Sequence, residues 1–497
     1  MNEELPWEVP RICNRVKPWV LDGFLTSYQR EAWSWLHQRG NEGSNLWWAC
    51  GAGKTLAALL FLISGEEGEK KIIVTRATTK RQWQREAAQY TDLKLQILSG
   101  QGAEPIDHEV EAVVISWEIL PHWLEALLTW AASEPYELSI VFDEIHKGKS
   151  HKRKERYVTI TGGYGYRWLN NRVSAAARLA RLADRRLGLT ATPIRDRRSD
   201  LWGQLDLIQP GRHGSSWDWM HYFCDARPGQ YGGLDTSGKS NCDELKDTLD
   251  GLTHAVSYAE MARSLPPKRR RLLYISAGEL VRAASFRQEL KNAAKRGPSA
   301  LFETQLMQTA TMKRKLVVEH VWEDIFSGTE KVVVFTGRRQ DCTALTKAIS
   351  KKLASLNVPV FSGHGGDSLS VREDEVKAFA GRDGAAVFVG TTDAFGEAID
   401  GLQCTDSVYF ALLPWTPGQV TQAEGRFSRH GSDRPVLITY LIAEGTVDEH
   451  VADLLLDKLE DVADITLDEE AEGLADTLAG VDDEEELINS ILEVSLG

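Results

Sequence analysis

The sequence predicts an α/β protein with two parallel β-sheets in tandem. The first observation is an apolar strand at residues 46–48, which enters a glycine-rich turn and then an apolar helix at 56–63. The second is a series of short apolar strands, separated by helical segments, that continues to residue 192. The third is another block of the same alternation between residues 332 and 440. Strands that alternate with helices form parallel sheets, and ligands bind at the carboxyl ends of such strands.

The length and composition set the class of protein. A chain of 497 residues exceeds what one hydrophobic core supports, so we expect two or three domains. No apolar run approaches the length that crosses a bilayer, and the acidic first residues are unlike a signal peptide. The six cysteines include no CxxC pair, which argues against a disulfide framework and a zinc site. We therefore expect a protein of a reducing cytoplasm without a membrane partner.

The net charge of −14 belongs to the end of the chain. From residue 460 onwards there are fourteen Asp and Glu residues and no Lys or Arg, so the preceding chain is close to neutral. We interpret this tail as a solvating, partly disordered end, with mimicry of DNA or docking on a partner as the alternative. Basic clusters at 147–154 and 268–271 fit phosphate contacts and a solvated surface about equally well.

The glycine-rich turn has the composition of a phosphate-binding loop. Gly51 and Gly53 allow the backbone to turn tightly and to point N–H groups at an anion. Lys54 can reach the outer phosphates, and Thr55 can ligate Mg²⁺ at the start of the helix. Trp48 stands where the complete pattern has another glycine, so the turn alone would also fit a different kind of loop.

A helix predicted at residues 24–36 precedes this turn. Its apolar side chains share one face, which indicates a helix packed on the core. Gln29 lies beside that face, and a Gln amide can pair with the amino group and ring nitrogen of adenine. A surface position is the alternative for a single Gln, and its place just ahead of the turn favours the adenine interpretation.

Two polar clusters follow apolar strands further along the chain. Asp143 and Glu144 end the strand at 138–142, and a Thr-Ala-Thr-Pro segment at 190–193 ends another. An Asp can hold Mg²⁺ while the adjacent Glu orients and deprotonates an attacking water. Residues 155–175 are rich in glycine and aromatic residues and predict an ordered surface loop; residues 277–326 predict helices.

The second alternating block predicts five strands and no phosphate loop of its own. Between its last two strands, Arg426 and Arg429 are three residues apart and would share a face on a helix. Two guanidinium groups on one face suit the charge that develops on a transferring phosphate. Ordinary surface ion pairs are the alternative for these two residues.

With these residues in order, the chain resembles a superfamily-two helicase or translocase, most closely of the SWI/SNF branch, from about residue 25 to residue 451. The matching segments are 25–29, 50–55 (motif I), 74–77 with 82–86 (Ia), 115–118 (Ib), 143–146 (II, DExH form), 189–193 (III), 265–268, 335–337 (IV), 390–400 (V) and 422–431 (VI).

The resemblance implies two tandem RecA-like lobes with ATP in the cleft between them, plus helical insertions and an acidic C-terminal tail. It implies that ATP and Mg²⁺ are held by Gln29, Gly51, Gly53, Lys54, Thr55, Asp143 and Asp400, with Thr55 and Asp143 on the metal. The catalytic residues it implies are Lys54, Asp143, Glu144, Gln422, Arg426 and Arg429. The nucleic-acid contacts it implies are Thr75, Arg76, Ser116, Thr336, Arg338 and Thr391, and the basic cluster at 147–154 adds Lys147 and Lys149 as candidates.

The chain departs from the family pattern at several positions. Thr26 replaces an arginine, and Phe395 and Glu397 replace small or apolar residues of motif V. The paired arginines that usually precede the Leu-Pro-Pro-Lys segment are absent from residues 254–257, and no chromatin-reading module is attached. These departures weaken the adenine and motif V assignments. A short prokaryotic or phage protein fits better than a chromatin remodeller.

The expected organisation is an N-terminal extension (1–20), a first lobe (21–262), a second lobe (263–456) and the acidic tail (457–497). The expected function is that of an ATP-driven translocase or helicase on double-stranded or branched DNA in replication, recombination or repair. The alternatives are a DExH RNA helicase and a DNA-binding ATPase switch that does not unwind. We expect a monomer in the cytoplasm of a prokaryote or phage-infected cell, with a replication or recombination protein as a partner for the tail.

Overall fold

The structure is a computed structural model, and it divides into two compact units, residues 1–256 and 257–497. The described residues are 5–49, 51–100, 105–107, 109–132, 137–150, 153–158, 164–194, 197–229, 233–257, 266–276, 284–296, 298–395, 401–427, 432, 434–466 and 474–475.

The first unit is built on a parallel sheet. Within its described residues, seven strands pair in the order β11-β1-β8-β5-β2-β4-β3, and every pairing is parallel. The strands are β1 Ser44–Trp48, β2 Lys70–Thr75, β3 Leu95–Ile97, β4 Ala112–Ser116, β5 Leu138–Asp143, β8 Arg185–Thr190 and β11 Thr253–Val256. The strands β6 Lys154–Val158 and β7 Tyr164–Trp168 form a separate antiparallel hairpin, and β9 Arg227–Pro228 pairs with β10 Leu234–Asp235.

Helices cover this sheet, as parallel sheets require. They are α1 Pro10–Cys13, α2 Ser27–Arg39, α3 Lys54–Ile63, α4 Lys80–Tyr90, α5 Leu120–Ala132, α6 Arg172–Leu182, α7 Ser199–Ile208, α8 Ser216–Phe223 and α9 Cys242–Asp250. The side chains of α3 are buried from Leu56 to Ile63, and all five residues of β1 are buried. The phosphate-loop candidate is therefore fixed at both ends by the core.

The second unit repeats this plan. Six described strands pair in parallel in the order β12-β17-β16-β13-β15-β14. They are β12 Lys268–Ser276, β13 Lys331–Thr336, β14 Val360–Gly363, β15 Ala386–Thr391, β16 Ser407–Phe410 and β17 Val436–Glu444. Its helices are α10 Ala284–Ala294, α11 Pro298–Phe326, α12 Arg339–Leu353, α13 Leu369–Ala380, α14 Thr392–Phe395, α15 Pro417–Glu424 and α16 Val447–Thr466.

The two parallel sheets confirm the predicted fold class, but some local predictions were wrong. The segment predicted as a surface loop contains the hairpin β6–β7. Strands β3, β11 and β12 were not predicted, because β3 and β11 are short and β12 begins with four basic residues that hide its apolar half. None of the described helices combines the length and the apolar character that a bilayer crossing needs.

The predicted N-terminal extension packs on the first unit. Ile12, Val16 and Val20 are buried, and Val16 forms an isolated bridge with Thr91. The Arg15 guanidinium bonds both Asp92 and Glu111, at 3.0 and 2.8 Å. The domain boundaries themselves stay a prediction, and most of the acidic tail lies outside the described residues.

Candidate functional site

The predicted site residues of the first unit follow strands of one sheet. The glycine-rich turn follows β1, the Thr-Ala-Thr segment follows β8, Asp143 ends β5, and Arg76 follows β2. These four strands are consecutive neighbours in the sheet and run parallel. Their carboxyl ends therefore meet at one edge, and that edge is the candidate site.

The turn after β1 has a phosphate-loop conformation. Gly51 and Gly53 have φ angles of 87° and 80°, values that side chains other than that of glycine rarely adopt. A Cβ at Gly53 would lie 2.4 Å from the Gln29 Nε2 atom, so this position also lacks room for a side chain. Lys54 begins α3, and its ammonium donates to the Trp48 and Ala49 carbonyls at 2.8 and 3.1 Å. The loop thus keeps the lysine folded back over its own backbone.

Gln29 supports this loop. Its Nε2 donates to the Ala52 carbonyl at 3.3 Å, and its Oε1 accepts from the Thr26 N–H at 3.0 Å. The Tyr28 hydroxyl donates to the same Ala52 carbonyl at 3.1 Å. Gln29 is buried, so the structure gives it a positioning function, and its contact with adenine stays a prediction.

Trp48, at the missing glycine position, is a core residue. Its side chain is fully buried, its indole N–H donates to His254 Nδ1 at 3.2 Å, and Tyr28 packs edge-on against it. His254 lies on β11, directly opposite Leu46 in the neighbouring strand β1. The large side chain therefore packs beneath the loop and leaves the turn itself to Gly51 and Gly53.

Asp143 is held by two side chains from outside its own strand. Thr75 Oγ1 and Trp83 Nε1 donate to its Oδ2 atom at 2.6 and 3.1 Å. Burial raises the pKa of the Asp143 carboxyl, and the nearby Glu144 carboxylate raises it further, against those two hydrogen bonds and the positive charge of Lys54. Because burial makes the charged form of this carboxyl unfavourable, a bound cation would stabilise the carboxylate.

Glu144 is one of four described residues other than glycine with positive φ, at 53°. Such a conformation is strained and is found preferentially at functional sites. Its Oε2 lies 3.3 Å from His146 Nδ1, and the same ring nitrogen lies 3.0 Å from the Thr190 hydroxyl. Thr190 also accepts from the Thr192 N–H at 3.0 Å. The chain therefore connects the Asp-Glu pair to the Thr-Ala-Thr segment through His146.

The predicted nucleic-acid residues of the first unit are mostly occupied within the fold. Thr75 and Ser116 are buried, as is most of Arg76. Lys147 donates to Glu118 at 3.0 Å, and burial lowers its pKa. Lys149 is 40% exposed and pairs with Asp200 at 3.1 Å.

In the second unit, the predicted residues also follow strands. Thr336 and Thr391 end the neighbouring strands β13 and β15 with buried side chains, and Arg338 pairs with Asp341 at 3.1 Å. Gln422 is buried on α15. This helix ends at Glu424, so Arg426 lies in the following turn, and the expectation of a helical face shared with Arg429 is wrong for Arg426. Arg429 and Asp400 lie outside the described residues.

Glu424 anchors this turn, and the sequence did not reveal it. Its carboxylate is buried and accepts from Lys268 at 2.8 Å, from Arg270 at 2.8 and 2.6 Å, and from the Tyr440 hydroxyl. Two residues of the basic run 268–271 therefore point inward, to hold the end of α15. Burial raises the pKa of Glu424, but the Arg270 and Lys268 charges outweigh it and hold the pKa well below its usual range.

We expect Glu424→Gln to destabilise the second unit by about 3–5 kcal/mol, because two buried cations lose their counter-charge. Hydrogen exchange of β12 and α15, followed by mass spectrometry, measures this loss locally. The exposed pair of Glu330 and Arg434 provides the control Glu330→Gln, whose effect should be much smaller, because solvent screens a surface ion pair. Equal protection in the two variants would contradict the prediction.

The same cluster predicts a pH dependence. The pKa of the Glu424 carboxyl is lower in the folded protein than in the unfolded chain. The ionised carboxylate therefore stabilises the fold at pH values above the unfolded-state pKa, and this stabilisation is lost as the pH falls through the folded-state pKa. The exchange protection of α15 should therefore persist at pH values where an ordinary Glu has become protonated.

Phe395, a departure from the family pattern, also has a packing explanation. It is fully buried and lies edge-on to Phe388, with ring centroids 4.9 Å apart. A Cβ at Gly363 or Gly390 would lie 2.5 or 2.8 Å from its ring. The two glycines therefore make the space that this larger side chain fills.

Comparison with known proteins gives matches to two family models. The family model described as "SNF2-related domain" matches residues 28–321, and the model described as "Helicase conserved C-terminal domain" matches residues 313–431. The chain is also similar to a solved structure described as the Sulfolobus solfataricus SWI2/SNF2 ATPase core in complex with dsDNA. The alignment covers 93% of this chain and 96% of that structure's chain, with 19% sequence identity and a TM-score of 0.41.

Curated relatives include the SWI/SNF-related matrix-associated actin-dependent regulator of chromatin subfamily A-like protein 1. The Xenopus tropicalis protein is 28% identical over 58% of this chain, and the Drosophila melanogaster protein is 26% identical over 82%. The DNA annealing helicase and endonuclease ZRANB3 of Mus musculus is 26% identical over 68% of this chain. The matches span 31%, 52% and 34% of these relatives' own lengths. Because the SNF2-related model matches well over half of the 497 residues, the chain belongs to the SNF2-related family, the SWI/SNF-like branch of the superfamily-two helicases.

Proposed function

We propose that the chain is an ATP-dependent translocase or helicase that couples ATP hydrolysis to movement on, or remodelling of, double-stranded or branched DNA in replication, recombination or repair. The observation that carries this proposal is the edge of the first sheet, where the carboxyl ends of neighbouring parallel strands carry the glycine-rich turn, the Thr-Ala-Thr segment and Asp143. Membership of the SNF2-related family supports it, and so does a relative whose name describes a DNA annealing helicase.

The residues at this edge fit ATP and Mg²⁺. The positive φ angles of Gly51 and Gly53 suit a turn that wraps a phosphate. Among the described residues, the Lys54 ammonium bonds two backbone carbonyls, and a phosphate can replace both. Thr55 and Asp143 supply hard oxygen donors, and Mg²⁺ is typically held by one or two such groups together with substrate phosphates. When bound, the metal neutralises charge on the phosphates that undergo transfer.

We assign the chemistry to the chain's own residues as follows. Glu144 takes the proton of the attacking water, and His146 Nδ1 lies beside it, 3.3 Å from Oε2. Gln422, Arg426 and Arg429 act on the same nucleotide from the second unit, and Gln29 and Asp400 contribute to nucleotide binding. Arg426 stabilises the charge that develops on the transferring phosphate.

DNA contacts are proposed at the strand ends that follow β2, β4, β13 and β15. Because the side chains of Thr75, Ser116, Thr336 and Thr391 are buried, we assign phosphate contacts there to backbone N–H groups. Arg76, Lys147, Lys149 and Arg338 would add charge after exchanging their present partners. A monomeric state, a tail-bound replication or recombination protein, and a prokaryotic or phage-infected cytoplasm remain parts of this proposal.

The test compares ATPase stimulation by single-stranded DNA, duplex DNA, forked DNA and RNA, side by side. We expect duplex or forked DNA to stimulate most, with ATP-dependent displacement of a third strand from a triplex. Greatest stimulation by RNA would instead identify an RNA helicase. Binding of DNA without ATP-coupled displacement would identify an ATPase switch.

A further inference from the structure

A cavity of about 470 Å³ opens on the first unit, away from the proposed ATP site. It is lined by Asn41, Glu42, Gly43, Arg181, Arg186, Gln209, Pro210 and Arg212. Residues 41–43 lie just before β1, and Arg186 lies near the start of β8. The cavity is therefore at the amino ends of two strands whose carboxyl ends carry the candidate ATP site. Strands of five or six residues separate the two sites by roughly 15–20 Å.

The lining is strongly positive because the neighbouring acids are already paired. Glu42 forms an ion pair at 2.9 Å with Arg39, the last residue of α2. Asp206 accepts from the buried Arg153 and from the Gly211 N–H, and it also lies 3.5 Å from the guanidinium of the cavity arginine Arg181. Asp184 accepts from the Leu138 N–H at 2.9 Å, at the start of β5. Glu42 is the one acid among the lining residues, so the three arginines leave the lining with a net positive charge, although Asp206 also pairs with Arg181.

Two of these arginines are held in place by carbonyl groups. The Arg186 Nε donates to the Ile208 carbonyl at 2.8 Å, and its Nη1 donates to the Ala180 carbonyl at 3.1 Å and to that of Ala183. Arg181 Nη1 donates to the Ala177 carbonyl at 2.8 Å, and its guanidinium lies over the Trp168 ring. Fixed guanidinium groups lose little conformational entropy when an anion binds.

The third arginine of the cavity, Arg212, is exposed. Within the described part of the chain, the Arg212 guanidinium makes no hydrogen bond or ion pair. It is nevertheless close to Arg186, because the Arg212 charge adds to burial in lowering the pKa of Arg186, against Asp184. Two like charges that face one cavity favour a bound anion.

We propose that this arginine cavity binds a phosphate group. Three guanidinium groups in one lining suit the oxygens of a phosphate, and Asn41 and Gln209 of the same lining carry amide groups that can act as neutral donors. The phosphate comes either from a DNA backbone or from free phosphate in solution. The site goes beyond the proposed ATPase function, because none of its residues belongs to the nucleotide-binding edge.

The test follows the modification of Arg212 by phenylglyoxal in the full chain, with peptide mapping by mass spectrometry. Inorganic phosphate is titrated in one arm and duplex DNA in the other, each against sodium chloride of equal ionic strength, which corrects for screening. We expect saturable protection of Arg212 and unchanged labelling of Arg296, an exposed arginine of the second unit. Protection by phosphate alone identifies free phosphate as the ligand, and protection by duplex identifies the DNA backbone.

The variant Arg212→Gln separates these sources independently. If DNA is the ligand, the slope of log Kobs for duplex binding against log salt concentration should become shallower by about 1. ATPase activity without DNA should be unchanged, since Arg212 is remote from Lys54 and Asp143. Labelling of Arg212 that neither phosphate nor duplex slows, together with an unaltered salt slope, would overturn the proposal even if the ATPase function is correct.

Discussion

Glu144→Gln should lower the rate of ATP hydrolysis by about 10²–10⁴-fold, the range that a positioned general base contributes. The amide has the size of the carboxylate and can still reach His146 Nδ1, which lies 3.3 Å from Oε2 in the native protein. It cannot accept a proton from water, so the chemical step is lost while the site stays assembled. Steady-state phosphate release, measured with and without duplex DNA, gives the rate.

Binding measurements and a control variant accompany this rate measurement. Binding of a fluorescent ATP analogue and of labelled DNA should be retained by Glu144→Gln, whereas Lys54→Ala should lose hydrolysis and weaken nucleotide binding while DNA binding is retained. Glu66→Gln is the matched control, because Glu66 is an exposed residue of the same unit whose carboxylate pairs with Arg11 at the surface. Native turnover in both Glu144→Gln and Lys54→Ala would refute the assignment of the site.

The sequence predicted the parts of this site that depend on local order along the chain. An apolar strand, a turn with Gly51 and Gly53, and an apolar helix specify the phosphate loop within about twenty residues. The ends of β5 and β8 were likewise visible as apolar runs followed by Asp-Glu and Thr-Ala-Thr. Parallel topology then brings these ends to one edge, so their proximity follows from the strand–helix alternation alone.

The supporting contacts could not be predicted in this way, because they join residues far apart in sequence. Thr75 and Trp83 bond Asp143 across 68 and 60 residues, and nothing local distinguishes Thr75 from a residue that contacts DNA. For Trp83, the sequence indicates only that a buried indole N–H will bond some acceptor. The sequence did not identify which acceptor it finds.

The function of the basic run at 268–271 could not be predicted from the sequence either. In the sequence, four consecutive cations fit a phosphate-binding patch and a solvated surface equally well. In the structure they lie on β12, so alternate side chains face opposite ways, and Lys268 and Arg270 reach the buried Glu424. A strand assignment would have predicted the alternation, and the apolar half of β12 carried the signal for it.

Arg426→Ala should reduce the rate of hydrolysis by about 10³–10⁵-fold while leaving ATP affinity nearly unchanged, as expected for a residue that acts on transition-state charge. The turn that carries Arg426 begins where α15 ends, at the residue that Lys268 and Arg270 hold. The backbone before Arg426 is therefore anchored to β12, and a change of its side chain removes a guanidinium without removing the support. Single-turnover hydrolysis at saturating ATP measures the chemical step directly.

Arg426→Lys distinguishes charge from geometry at the same position. A lysine keeps the positive charge but lacks the planar fork that binds two phosphate oxygens, so it should recover only a small part of the lost rate. Arg434→Ala is the control, since this arginine of the same unit pairs with Glu330 at the surface. If Arg426→Ala hydrolyses ATP at the native rate, the second unit does not supply the charge, and the first unit must complete the site by itself. If Arg426→Ala loses both hydrolysis and the hydrogen-exchange protection of α15, the loss of activity is structural. Arg426 then has no direct part in the chemistry.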